Sequence, residues 1–144
     1  MAYCTVADIE KMIPAEAIIQ LTDDEGANSV NTGRVNEAIT QSDAEIDSYC
    51  ATRGYVVPFS PIPDIVKKMS VDIAIYNLYS RRVEQIPETR AERYKNAMRQ
   101  LEGIAKGAIT LGEVPEPEQV SGGFVKTNKS YNDRIFTSDT LKEF

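Results

Sequence analysis

From about Thr32 the chain repeats apolar and small residues at intervals of three and four. Val35, Ile39, Ser42, Ile46, Tyr49 and Arg53 fall on this period, most of them forming one apolar stripe of a long amphipathic helix. Gly54 stands just past its expected end, where a left-handed residue satisfies leftover carbonyls at little steric cost. A second period starts after Pro63 and runs through Ile65, Val66, Met69, Ile73, Tyr76 and Ser80. Val71, Ile75 and Leu78 widen that stripe almost all round, so this helix is expected at the centre of the body or in an interface. A third long helix is predicted from near Pro87, carrying Tyr94, Ala97, Met98, Leu101, Ile104 and Ala105, with Gly107 as its stop and Glu102 and Lys106 paired on its surface.

The segments around these three read differently. Thr5 followed by Asp8 suits the start of a short helix reaching about Met12, and Pro14 suits the start of another through "AEAIIQL". "TDDEGANS" is a cluster of turn formers. Between the first two long helices, "YCATRGYVVPFSPIP" breaks at glycine and crosses three prolines, which predicts an extended, rigid corner capping the core with Tyr55, Val57 and Phe59. Past Gly112, "EVPEPEQVSGG" reads as a linker to a last segment whose apolar residues, Phe124, Val125, Tyr131, Ile135, Phe136, Leu141 and Phe144, have too little sequence around them for a core. The expectation is an all-α fold: a small antiparallel bundle of three long helices plus one or two short N-terminal ones over residues 1–112, and a linker with an extended C-terminal arm over 113–144.

Composition narrows the class further. Hydrophobic residues make up 42% and charged residues 26% of the 144, ordinary values for a globular chain. No apolar run approaches the roughly 20 residues of a membrane span, and "MAYCTVADIEK" lacks a basic region ahead of an apolar stretch, so the expectation is a soluble chain made in the cytoplasm with no membrane partner. The net charge is −6, with lysine and arginine interspersed among acids, so the footprint of a nucleic-acid binder is missing. Arg90, Arg93, Lys95, Arg99 and Lys106 share the last long helix with Glu88, Glu92 and Glu102, a mixed face suited to solubility or polar contacts between subunits.

Little of the sequence carries reaction chemistry. Histidine is absent, which removes the commonest general base and any triad built on it. Cys50, on a periodic helix, is read as a packing residue, a structural disulfide with Cys4 is not expected, and two cysteines without histidine do not make a structural zinc site. "EGANSVNTGR" has neither the spacing nor the preceding strand of a phosphate loop. Asp23, Asp24 and Glu25 read as a solvated turn rather than a calcium loop, and Asp43 and Asp47, one turn apart, as the wet side of their helix. Asp72 is the acid out of place, between Val71 and Ile73; a structural ion pair with Arg53 is expected, with Arg81 or Arg82 as alternatives. No enzyme, metal or cofactor is expected.

Several segments taken together, "YCTVADIEKMI", "AIIQLTDD", "AITQSDAEIDSYCATRGYVVPFSPIPDIVKKMSVDIAIYNLYSRR" and "RYKNAMRQLEGIAKGAITLG", resemble a family of small proteins of Mu-like phages and prophages. The likeness spans about Tyr3 to Gly112, and "RIFTSDTLKEF" is similar to the close of such proteins. What the resemblance implies is a structural virion protein in the head-to-tail neck. Such an adaptor is a homo-oligomeric ring, of twelve copies by analogy with portal symmetry or else of six, that docks on the portal and continues the DNA channel toward downstream neck or tail proteins. DNA would pass through it without sequence-specific binding. The alternative is a monomeric or dimeric phage assembly factor that is not retained in the particle. In either case Tyr55 and Phe59 at the corner, and the seven apolar residues of the arm, are the candidate partner-binding side chains.

Overall fold

The computed structural model describes residues 2–82 and 85–112; the linker, the arm and all seven arm candidates lie outside them. The described residues form five helices, α1 (Val6–Glu10), α2 (Ala15–Thr22), α3 (Thr32–Thr52), α4 (Asp64–Ser80) and α5 (Glu88–Ala105). The chain is all-α, as its periodicity predicts.

The expected start and stop signals operate as read. Thr5 opens α1 with a capping box, its amide and hydroxyl both donating to the Asp8 carboxylate, at 3.1 and 2.7 Å. Pro14, Pro63 and Pro87 stand as the residues preceding α2, α4 and α5. α3 ends in a Schellman turn: Gly54 has φ of +92°, its N–H donates to the Ala51 carbonyl, and the Tyr55 N–H reaches back to that of Cys50. Gly107 repeats the device after α5, with φ of +77° and the Ala108 N–H donating to the Gly103 carbonyl.

Two apolar clusters divide the body. In one, Val35, Ala38 and Ile39 from the first half of α3 meet Val71, Ala74, Ile75 and Leu78 from the second half of α4, and Ile9, Ile13, Ile18 and Leu21 from the α1–α2 segment close over them. In the other, Ile46 and Cys50 meet Val66, Met69 and Ile73, and Leu101 and Ile104 of α5 complete the packing with Tyr3 and Tyr55. First halves matched to second halves make α3, α4 and α5 successively antiparallel. α4 serves both clusters from opposite sides, which is why its sequence is apolar nearly all round. At roughly 1.5–3 kcal/mol for each large side chain removed from water, this shared burial is the main force holding the helices together.

Three sequence expectations change. Asp43 is not on a wet face: it is buried, accepts the Tyr3 N–H at 3.0 Å and takes the Ser70 hydroxyl at 2.8 Å. Asp47 is half-buried and accepts the Tyr3 hydroxyl. Asp72 is buried and ion-paired, but with Arg93 at 3.2 Å and Lys68 at 3.8 Å in place of Arg53. Arg53 lies instead against the turn after α5, where a Cβ built on Gly107 would stand 3.0 Å from its Nε. Arg81 and Arg82 are likewise committed elsewhere, to Asp24. The physical reason is the packing of α5: its first half lies over α4 and brings Arg93 to the carboxylate from a helix the linear sequence places far away.

Candidate functional site

The corner between α3 and α4 carries the most exposed large apolar side chain of the described residues. Val56 is 84% exposed, while its neighbours point inward. Tyr55 is buried; its ring lies 6.1 Å from that of Phe59, and its hydroxyl accepts the Leu111 N–H at 3.0 Å. Phe59 is half-buried, its ring tilted against Tyr3 at 5.9 Å. Of the two corner candidates, Tyr55 is therefore largely spent on the core and Phe59 keeps a partly open face. Val56, which no periodicity singles out, is the apolar side chain that the corner leaves in solvent. The Leu111 bond also holds the end of the described residues beside this same corner.

A polar network braces the corner from behind. The Tyr3 hydroxyl donates to Asp47 and accepts the Phe59 N–H at 3.1 Å, so one side chain ties the N-terminal segment to α3 and to the corner. Burial, followed by the Asp47 carboxylate, holds the Tyr3 proton well above the ordinary phenol range. Deeper in, the Ser70 hydroxyl stands 3.1 Å from the Cys4 sulfur and 3.2 Å from the Ser42 hydroxyl. Both thiols are free and buried, and burial pushes each up to about 11. Such thiols are inert packing groups rather than nucleophiles. The signal that Tyr3 and Cys4 belong to the core was absent from the sequence, because they precede the first helix; for Asp43 it was present, since Asp43 stands four after Ile39 and three before Ile46.

A second concavity, of about 370 Å³, lies where α1, α4 and α5 meet, over Met12 and Val71. Two of its acids are ion-paired. Asp8 takes Lys67 at 3.1 Å and Lys11 at 3.3 Å, and the Thr5 hydroxyl, then Lys67, hold it well below the usual carboxylate range. Asp72 takes Arg93 and Lys68. Asp8 thus has both carboxylate oxygens engaged, and Asp72 has a cation at each of its own. On the opposite side, Asp24 gathers Arg81, Arg82 and Arg34, at 2.7, 3.0 and 3.6 Å, and Asp23 accepts the N–H groups of Glu25, Ala27 and Asn28, so the acidic cluster is a loop-closing device. Among the described residues no group of three or more His, Cys, Asp or Glu side chains is placed to hold a metal ion. No described helix is long and apolar enough to cross a membrane.

What the geometry presents is a braced apolar corner and helix faces on which some charges are paired and others are open, an arrangement suited to contact with protein. Comparison with known proteins agrees with the resemblance seen in the sequence. The family model described as "Bacteriophage Mu, Gp36" matches residues 3–126. The "Mu-like prophage FluMu protein gp36" of Haemophilus influenzae is 33% identical over 94 residues, which cover 65% of this chain and 64% of that relative, a little under two thirds of its length. With the family model matched across both apolar clusters, the corner and all five helices, the chain belongs to the Gp36 family of Mu-like phages.

Proposed function

We propose that this chain is a structural component of the phage particle, a head-to-tail adaptor that forms a ring on the portal and carries the DNA channel toward the neck and tail. The observation that carries this reading is membership of the Gp36 family. The braced corner supports it. α3 ends there, α4 begins there, and α5 with the following turn returns there, so Val56, Phe59 and Leu111 share one end of the body. A ring needs different patches that meet head to tail, and the 32 residues after Gly112 are long enough to cross to a neighbour. Fully extended they would span about 100 Å, whereas α3, the longest helix described, spans about 32 Å. The net charge of −6 suits a channel wall that lets phosphates pass without holding them.

The test is the mass of the purified full-length chain in solution, alone and with its portal protein, together with its presence in purified particles. A ring-sized assembly that forms with the portal and co-purifies with particles is the expected result. A chain that stays monomeric beside the portal and is absent from particles overturns the proposal.

A further inference from the structure

The first half of α5 contributes no buried apolar side chain; its buried residues begin at Ala97. It is fastened to the body by polar and aromatic contacts instead: Arg90 to the Met12 carbonyl at 2.7 Å, Arg93 to Asp72, and Tyr94 stacked on Tyr76 of α4 with ring centroids 3.9 Å apart and planes 8° from parallel. Both tyrosines remain half-buried, as do Met98 one turn along α5 and Glu45 and Tyr49 on α3. Tyr49 and Met98 pack on the same cluster as Tyr94, and Glu45 is near enough for its charge to help raise the Tyr94 phenol, after burial itself. Tyrosine and methionine gathered on a partly open surface is the composition of an interface core.

Glu45 says what such an interface takes. It is partly withdrawn from water, and among the described residues no cation stands within ion-pairing distance of it, unlike Asp8, Asp24 and Asp72. Burial alone pushes its carboxyl upward. A partly dehydrated carboxylate beside the electron-rich faces of tyrosines favours one ligand chemistry, a lysine or arginine side chain. The chain displays that chemistry itself. Lys95 and Arg99 stand one turn apart on the outer edge of α5, exposed, with no acid paired to them among the described residues; Arg99 reaches only the Asn96 amide oxygen, at 3.4 Å. Around the helix they are set off from Tyr94 and Met98 by about 100°, so donor edge and acceptor patch are different surfaces.

We propose that the patch of Glu45, Tyr49, Tyr76, Tyr94 and Met98 is a docking site for a second copy of this chain, which inserts its Lys95–Arg99 edge. Because the two surfaces differ, the contact is heterologous, as a ring requires, and the inference rests on the ring reading. The experiment is charge reversal in the full chain, read as oligomer mass against concentration, with and without the portal. Glu45→Arg and Arg99→Glu are each expected to weaken association at least tenfold, and the double variant to recover most of it. Arg99 is exposed, so its reversal leaves the fold intact, which helical circular dichroism checks. Assembly of both single variants at the wild-type concentration overturns the inference while leaving the ring reading standing. Weakening by Glu45→Arg without recovery in the double variant shows that a different cation occupies the patch, and overturns it too. A wild-type chain that is monomeric with and without the portal overturns the ring and the patch together.

Discussion

At the scale of single residues, the most informative side chains are the ones that a hydropathy reading passes over. Tyr3 is 2% exposed although it precedes every helix, and its hydroxyl joins Asp47 to the Phe59 amide. Tyr3→Phe keeps the ring but leaves both partners short of a bond, and a loss of about 1–3 kcal/mol in urea unfolding is expected. Val56 behaves in the opposite way: with its side chain in solvent, Val56→Asp should unfold at the wild-type urea concentration and yet weaken assembly of the proposed ring in a mass measurement. Asp8 sets part of the acid limit. Its folded pKa lies below its unfolded value of about 3.9, so the stabilisation it gives is complete above that value and disappears as pH falls through the folded one. Asp8→Asn should therefore flatten the acid limb of the stability curve between about pH 4 and 2 without changing its neutral slope, a difference that thermal melts across that range would detect.

At the scale of elements, helix ends decide how the corner is aimed. The Schellman turn at Gly54 directs the chain from α3 into the corner and lets Tyr55 pack back on Cys50 in the same cluster. Gly54→Ala forces a side chain into left-handed backbone, at a cost of about 1–2 kcal/mol by chemical denaturation, and redirects the Tyr55 side chain on which Leu111 rests. α5 is an element held in two ways, by apolar packing from Ala97 onward and by Arg93 and the tyrosine stack before it. Arg93→Ala strands the buried Asp72 carboxylate with Lys68 alone, and hydrogen exchange should rise first in the leading turns of α5 while α3 stays protected.

At the scale of the whole molecule, the body and the segment after it have separate tasks in the proposed ring. Among the described residues, both apolar clusters are complete by Leu111. Removal of residues 113–144 is therefore expected to leave helical circular dichroism and the unfolding midpoint of the body close to those of the full chain, and to abolish ring formation or docking in a mass measurement with the portal. A loss of helicity on that deletion would show that the segment belongs to the core. α4 feeds both apolar clusters from opposite sides, which leaves one side each of α3 and α5 turned away from the core.

Much of this architecture is local, and local order is what a sequence specifies directly. The 3.6-residue period of α3, α4 and α5, the capping box at Thr5, the prolines that open helices and the glycines after α3 and α5 each act over a few residues, so all were legible before any fold was known. The all-round apolar character of α4 announced its central position for the same reason. The partners of charges were not legible. Asp72 could be seen to need a cation, but whether Arg53 or Arg93 supplied it depended on how α5 crosses α4, a choice made by side-chain packing between segments about 20 residues apart. Asp43 stands on the spacing of Ile39 and Ile46 and so could have been placed in the core, but helical spacing alone does not reveal that the N-terminal segment, bearing Tyr3, folds over Asp47. The exposure of Val56 between two inward-facing neighbours, and the unpaired Glu45 among tyrosines from three helices, exist only where separate elements converge. The sequence by itself thus determined the elements and the family; the surfaces available to partners were decided by tertiary packing, because a surface is what remains after every helix has taken its share of the core.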